Sequence, residues 1–485
     1  MARIDATTVT SNVMWRFIER FGAQLISLCV SLILARLLGP DDYGTVAIVV
    51  AIMAILQIFV DSGLGNALVQ KKNVENDDYS TVFVFNTIMC FGLYGILFLV
   101  APYIAQIYEI PELTVLVRVL GINLVLSGVR NVQQAYISRN MLAKKFFFVT
   151  IGGTIVSAAV GVAMAFLGYG VWALVAQNLV SATFSLVMLW ITLDWKPIFK
   201  FSFVRFKQLF GFGWKLLISA LLDTGYNELC NLLIGGVYSS TDLGYYTNGQ
   251  KIPNLVISNI NTSITSVLFP ALSEIQDDKN MLKRLMQRGM KISSYIIWPM
   301  LFGLMACAEP LVRLLLTEKW LPAVPYMQIF CLTLGMYPIH TANLEAIKAM
   351  GRSDLFLKLE IVKKVIAIVL LLTVLRKSVM AFALCGIVST VLSAVINSFP
   401  NWRLLKYNGW EQLRDVLPPF LLSAVMAVVV MQFSRFITND ILLLCIQVPV
   451  GVVIYVLSSW IFKMDSFMYL LCFAKNMIAS RKRKI

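Results

Sequence analysis

Apolar segments, each roughly 20 residues long, recur along the whole of this chain, and a helix of that length crosses a hydrocarbon core of about 30 Å. Within such a core every backbone N–H and C=O must find its partner inside the protein, which restricts a spanning chain to helices or a closed barrel. The segments lie at 13–38, 43–68, 80–105, 113–138, 146–167, 170–193, 211–236, 243–270, 289–315, 324–349, 355–376, 379–402, 416–437 and 440–463. The expected fold is therefore an all-α polytopic membrane protein with about 14 transmembrane helices. A mean hydropathy of +0.78 supports this. So do 59% apolar and only 14% charged residues, a balance that no ordinary soluble domain shows. The first segment begins too polar, and its successors are too many, for a cleaved signal peptide.

The second half of the chain carries a faint copy of the first. Trp15 opens an apolar run that closes on LLGPDDYG at Gly44, and Trp214 opens another that closes on VYSSTDLG at Gly244. Further on, Ala101-Pro102 is matched by Glu309-Pro310, and AYISRNMLAKKFF from Ala135 by AIKAMGRSDLF from Ala346. Two matched hydrophobic lobes are a usual transporter build, with the substrate path between them. The expected organisation is a six-helix lobe at 1–195, a cytoplasmic linker at 196–210 and a second six-helix lobe at 211–403. Two further helices follow at 404–465, then a basic tail at 466–485.

Basic residues orient these segments. Lys71/Lys72, Arg139/Lys144/Lys145, Lys196/Lys200/Arg205/Lys207, Lys279/Lys283/Arg284/Arg288/Lys291, Lys348/Arg352/Lys358 and Arg403/Lys406/Arg414 fall on alternate loops or their flanks. By the positive-inside rule both termini are cytoplasmic, and the number of crossings is even. The net charge of +15 is then topology rather than nucleic-acid binding, because it is spread over many short loops. The basic tail can rest on anionic lipid.

Enzyme chemistry fits poorly. There is no P-loop and no HExxH, and His340 is the only histidine. The eight cysteines show no metal-type spacing and read as small buried hydrophobes. No cofactor is expected beyond a coupling proton or sodium ion. The loops between segments are too short to hold a catalytic domain.

A charge at membrane depth costs a few kcal/mol even on lenient scales, so each one needs an explanation. Thr247, Lys251, Asn254, Ser258, Asn261 and Thr265 fall on one helical face, which must look at water or at other polar groups. Pro253 within the stripe marks a kink. The face fits a water-filled cavity and also a polar seam between packed helices. Arg16 and Arg20 share a face of the first helix, where a pair of guanidinium groups suits a pyrophosphate; cytoplasmic anchoring is the alternative. The seventh helix carries Asp223, Asn227 and Asn231 with Glu228 alongside, and the fourth carries Asn123, Ser127, Arg130/Asn131 and Gln134. Asp61, Asp223, Glu228 and Glu345 are candidates for ion coupling, or each balances a neighbouring cation. A positively lined cavity suits an anionic, sugar-rich substrate better than a cationic drug.

The strings GAQLISLCVSLILARLLGPDDYGTVAIV at 22–49, DSGLGNALVQKK at 61–72, AYISRNMLAKKF at 135–146 and GRSDLFLKLEIVKK at 351–364 resemble bacterial polysaccharide exporters. Over residues 10–410 the chain resembles the lipopolysaccharide and exopolysaccharide flippases of the multidrug/oligosaccharidyl-lipid/polysaccharide superfamily. It is similar in particular to colanic-acid and teichuronic-acid exporters. The resemblance implies a MATE-like, V-shaped pair of six-helix lobes in a bacterial plasma membrane. It implies as substrate an undecaprenyl-diphosphate-linked oligosaccharide, flipped by alternating access beside the polymerase and glycosyltransferases of the same pathway. From the type of residue it implies cationic lumen positions at Arg16, Arg20 and Lys251. Ala143 departs from the phenylalanine many relatives carry before the paired lysines. A multidrug antiporter of the superfamily is the first rival, and a membrane enzyme of polysaccharide assembly the second.

Overall fold

The computed structural model describes residues 6–61, 64–71, 74–140, 142–193 and 195–472. Every regular element among them is helical. The chain divides into two units, Met1–Gly244 and Tyr245–Ile485.

The first unit holds α1 (Ala6–Leu37), α2 (Pro40–Asp61), α3 (Leu64–Gln70), α4 (Asn76–Ile107), α5 (Leu113–Arg139), α6 (Ala143–Phe166), α7 (Val171–Thr192) and α8 (Phe203–Val237). α9 (Ser240–Glu274) begins in this unit and runs on into the second. The second continues with α10 (Lys279–Ala306), α11 (Ala308–Leu316), α12 (Val324–Leu334), α13 (Tyr337–Ala349), α14 (Ser353–Val374), α15 (Val379–Leu405), α16 (Gly409–Gln432) and α17 (Asp440–Ile461).

Local chemistry marks the helix starts. Pro40 opens α2, where its missing N–H is one that a first turn leaves unbonded anyway. Glu75 and Asp78 form a reciprocal capping box at the start of α4. The side chains of Asp278, Ser378, Asn408 and Asn439 accept backbone N–H bonds at the starts of α10, α15, α16 and α17.

Ten of these helices are long and apolar enough to cross a membrane, and the pair α10–α11, bent by 66°, adds an eleventh if it is one span. Three other expected segments fall short. The one at 324–349 is broken between α12 and α13 at Gly335-Met336, just ahead of Pro338. α14 carries Asp354, Lys358, Glu360, Lys363 and Lys364, and α8 is interrupted by Lys207, Lys215, Asp223 and Glu228. Large apolar side chains face outward on the rest; Leu99, Phe166 and Val267 are each at least 70% exposed, as suits a lipid-facing surface.

In the first unit, Tyr79, Phe83, Val132 and Trp195 pack together, with Trp195 stacked on Tyr136. The segment expected as a linker is held down at this point. Ile198 N donates to Ser80 Oγ (3.4 Å), Ser202 N to Thr81 Oγ1 (3.2 Å), and Lys200 pairs with Asp77 at 2.7 Å. The fully buried Asp78 takes Lys71 at 2.7 Å and Arg205 at 3.2 Å.

The second unit has a core around Trp298, Phe302 and Phe420, with the Trp298 and Phe420 rings edge to face at 4.8 Å. Beside it lies a wholly buried amide network. Asn343 Nδ2 donates to Gln412 Oε1 (2.7 Å), Gln412 Nε2 to Asn343 Oδ1 (3.1 Å), and Asn401 Nδ2 to Asn343 Oδ1 (2.8 Å). Ser398 Oγ donates to Gln412 Oε1 at 2.8 Å, so α13, α15 and α16 are joined at one point. Nearby, Tyr407 donates to Asp415 at 2.7 Å; burial and that carboxylate hold its phenol well above the usual tyrosine range.

Candidate functional site

The two repeat-matched turns meet inside the first unit. A Cβ on Gly44 would stand 1.6 Å from the carbonyl oxygen of Ser240, and a Cβ on Gly244 would stand 2.0 Å from that of Pro40. Each turn thus offers a glycine to the backbone of the other, a reciprocal pairing that only residues without a side chain permit. Ser240 Oγ also donates to Asp41, while Asp42 accepts from Gly39 N at 2.9 Å and Ser239 donates to Asp242 at 2.7 Å. The sequence shows the two turns as matched copies, but not that they touch.

A polar cluster gathers where α2 ends, short of α3. Asp61 Oδ1 accepts from Asn131 Nδ2 at 2.9 Å and from Gln57 Nε2 at 3.3 Å, and Arg130 lies within electrostatic range of the carboxylate. Arg130 and Asn131 come from α5 and Gln57 from α2. Two fully buried carboxamides of the same unit, Asn86 and Gln133, have no hydrogen-bond partner among the described residues. An unsatisfied buried amide costs about 1–3 kcal/mol, so it is a position where water or a bound group would be held. Of this cluster the sequence singles out Asp61 as a site residue; Gln57 is missed, because one amide in an apolar helix carries no local signal.

The α9 stripe is continuous helix through Pro253. Lys251 and Ser258 are exposed, Thr247, Asn254 and Asn261 half-buried, and Thr341 Oγ1 donates to Asn261 Oδ1 at 2.6 Å. Most of the stripe's hydroxyls bond back to their own helix, as Ser258 does to Leu255 O (3.3 Å) and Thr265 to Thr262 O (3.1 Å). On α8, Asn231 Nδ2 donates to Glu228 Oε2 at 2.9 Å, and Asn227 is exposed. The Asp223 and Arg16 side chains lie outside the described ones, while Arg20 is exposed on α1. Glu345 is buried and pairs with Lys348 one turn on, at 3.0 Å. His340 Nδ1 lies 3.0 Å from Asn397 Nδ2. Among the described residues no group of three or more His, Cys, Asp or Glu could hold a metal ion.

The profile of the family described as "Polysaccharide biosynthesis protein" matches residues 33–325. The succinoglycan biosynthesis transport protein ExoT of Rhizobium meliloti (strain 1021) is 26% identical over 349 residues, 72% of this chain and 71% of that protein. The teichuronic acid biosynthesis protein TuaB of Bacillus subtilis (strain 168) is 22% identical over 454 residues, 92% of this chain and 94% of that one. Among solved structures, the lipid II flippase MurJ in an inward closed conformation superposes with a TM-score of 0.77 at 16% identity, covering 93% of this chain and 99% of that one. An inward-facing multidrug resistance MATE transporter of the MOP superfamily superposes with a TM-score of 0.61 at 14% identity, covering 79% and 96%. The fold is that of these membrane transporters. The chain belongs to the polysaccharide biosynthesis protein family.

Proposed function

We propose that this protein flips an undecaprenyl-diphosphate-linked oligosaccharide, a precursor of an exported polysaccharide, across the bacterial plasma membrane by alternating access. Family membership carries the reading: the match to a polysaccharide biosynthesis family covers more than half the chain, and one similar protein is named as a transport protein. The short connections between described helices support a transporter rather than an enzyme of assembly, and the likeness to MurJ supports a lipid-linked substrate.

The helices pair into fourteen spans if α2–α3, α10–α11 and α12–α13 are each one broken crossing. In this reading both termini are cytoplasmic, and two six-helix lobes precede the added pair α16 and α17. Discontinuous helices suit a transporter, because freed backbone groups are tolerated at depth only where they meet protein or water. Arg16, Arg20 and Lys251 supply positive charge to the diphosphate, which lowers the cost of carrying it through the membrane. Asp61 couples transport to a proton or sodium ion, with Asp223, Glu228 and Glu345 as further candidates. The Gly44 and Gly244 turns lie opposite the basic loops, so their contact closes the exterior side and their separation opens it. Product release outside hands the lipid-linked repeat to a polymerase of the pathway, after glycosyltransferases have built it on the cytoplasmic face.

In cells, loss of the protein should leave lipid-linked oligosaccharide on the cytoplasmic leaflet, where an enzyme added outside spheroplasts cannot reach it. Equal accessibility with and without the protein would contradict the proposal. Normal export from Arg16→Gln, Arg20→Gln and Lys251→Gln at normal protein levels would remove those residues from the site.

A further inference from the structure

In the second unit, α9 and α10 enclose a groove that has no part in the transport reading. Its volume is about 650 Å³, within the size range of ligand pockets. Its floor and walls are Ile260, Ile264, Val267, Leu268, Ile292 and Ile296, and Val267 is 70% exposed, so the groove opens on the protein surface. Three uncharged polar residues of the two helices also line it, and each makes one bond within its own helix: Asn259 Nδ2 to Leu255 O at 2.9 Å, Ser263 Oγ to Asn259 O at 2.8 Å, and Ser293 Oγ to Gly289 O. The remaining lining of the two helices is mostly aliphatic.

One end is cationic. Arg288 lines the groove there, its guanidinium 3.6 Å from the centroid of the Tyr469 ring, another lining residue. Stacking uses the face of the guanidinium and leaves its edge donors for an oxygen ligand. Arg284, one turn earlier on α10, is exposed on the same side. The neighbouring lysines are engaged: Lys283 pairs with Glu411 at 2.8 Å, and Lys291 with Asp415 at 3.3 Å. Among the described residues neither Arg284 nor Arg288 has a carboxylate partner.

We propose that this groove binds an anionic phospholipid of the inner leaflet, its phosphate on Arg288 and Arg284 and one acyl chain along α9 and α10. The length fits such a chain. The lined stretch of α9 from Asn259 to Ala271 rises about 18 Å, close to one leaflet's share of a hydrocarbon core of about 30 Å. A polyprenyl chain several times longer would leave most of itself outside. The charge is placed accordingly, since α10 starts among the basic residues of a cytoplasmic loop and anionic lipid gathers on that face.

The test is native mass spectrometry of the full chain in detergent, titrated with phosphatidylglycerol and, separately, phosphatidylcholine of the same chains. Wild-type protein should retain one phosphatidylglycerol about tenfold more tightly than phosphatidylcholine. Arg284→Gln/Arg288→Gln should erase that preference, and Ile264→Trp, which fills the groove, should lower retention of both lipids. Each variant is first matched to wild type in thermal melting, so that a folding defect is not read as lost binding. Equal retention of the two lipids by wild type, or an unchanged preference in the double arginine variant, would overturn the proposal. So would stoichiometric displacement of phosphatidylglycerol by polyprenyl phosphate, which would give the groove to the transported lipid. Apart from that displacement, none of these outcomes bears on whether the protein flips a substrate.

Discussion

Gly44 and Gly244 show how much a single atom can decide in this fold. A Cβ at either position would enter the backbone of the opposite turn, and no rotamer change relieves a clash with a carbonyl. Cysteines placed at Asp41 and Ser240, whose side chains touch in the native protein, should cross-link on oxidation in a background without the native thiols. Adding Gly44→Val should abolish the cross-link and lower transport while leaving membrane insertion unchanged; a persistent cross-link would mean that the turns absorb the extra atoms. Asp61 is the other residue with a sharp expectation. Asp61→Asn keeps a group that Asn131 and Gln57 can bond but removes the charge beside Arg130. Export should fall severalfold at an unchanged protein level, and lose its dependence on an imposed proton or sodium gradient. The sequence exposes Asp61 because a carboxylate inside an apolar run is conspicuous. It gives no hint of Gln57 or of the glycine contact, which depend on which helices become neighbours.

At the scale of elements, polar groups hold helices in place where apolar faces alone would slide. Asp78 is fully buried and shared by Lys71 and Arg205, so Asp78→Ala removes the carboxylate that ties both to α4, leaving Arg205 only its 2.6 Å pair with Glu75, and should clearly lower the melting temperature of the detergent-solubilised protein. The exposed pair Lys200–Asp77 on the same segment should matter far less, with Asp77→Ala costing under about 1 kcal/mol. Equal shifts in melting temperature would contradict this ranking. Asn343→Leu tests the amide network in the same way. It leaves donors of Gln412 and Asn401 unmatched in a buried site and should cost about 2–4 kcal/mol. Helix positions were legible in the sequence because apolar length is a strong, local signal. Breaks were less so: Pro338 and the bend near Cys307 lie inside segments that read as uninterrupted apolar runs. At Pro253, by contrast, the proline does not end the helix: α9 runs through it. The amides of the network also escaped notice, because Asn343, Asn401 and Gln412 are spread over three helices and share no spacing.

For the whole molecule, composition and hydropathy were enough to specify a helical membrane protein, and the quoted strings pointed to the neighbourhood of the polysaccharide biosynthesis protein family, to which the chain belongs. The fold is one it shares with MurJ and a MATE transporter. The substrate's sugars were never legible, because specificity depends on cavity shape and a few contacts made by residues far apart in sequence. In the proposed function the protein moves a diphosphate-linked oligosaccharide between leaflets. The most direct measurement uses proteoliposomes carrying a polyprenyl-diphosphate oligosaccharide, with outer-leaflet exposure followed by an added glycosidase or lectin. Exposure of the initially internal pool should depend on the protein and be slowed at least tenfold by Lys251→Ala combined with Arg20→Ala. An internal pool that stays protected with active, correctly inserted protein under both proton and sodium gradients would contradict the proposed function.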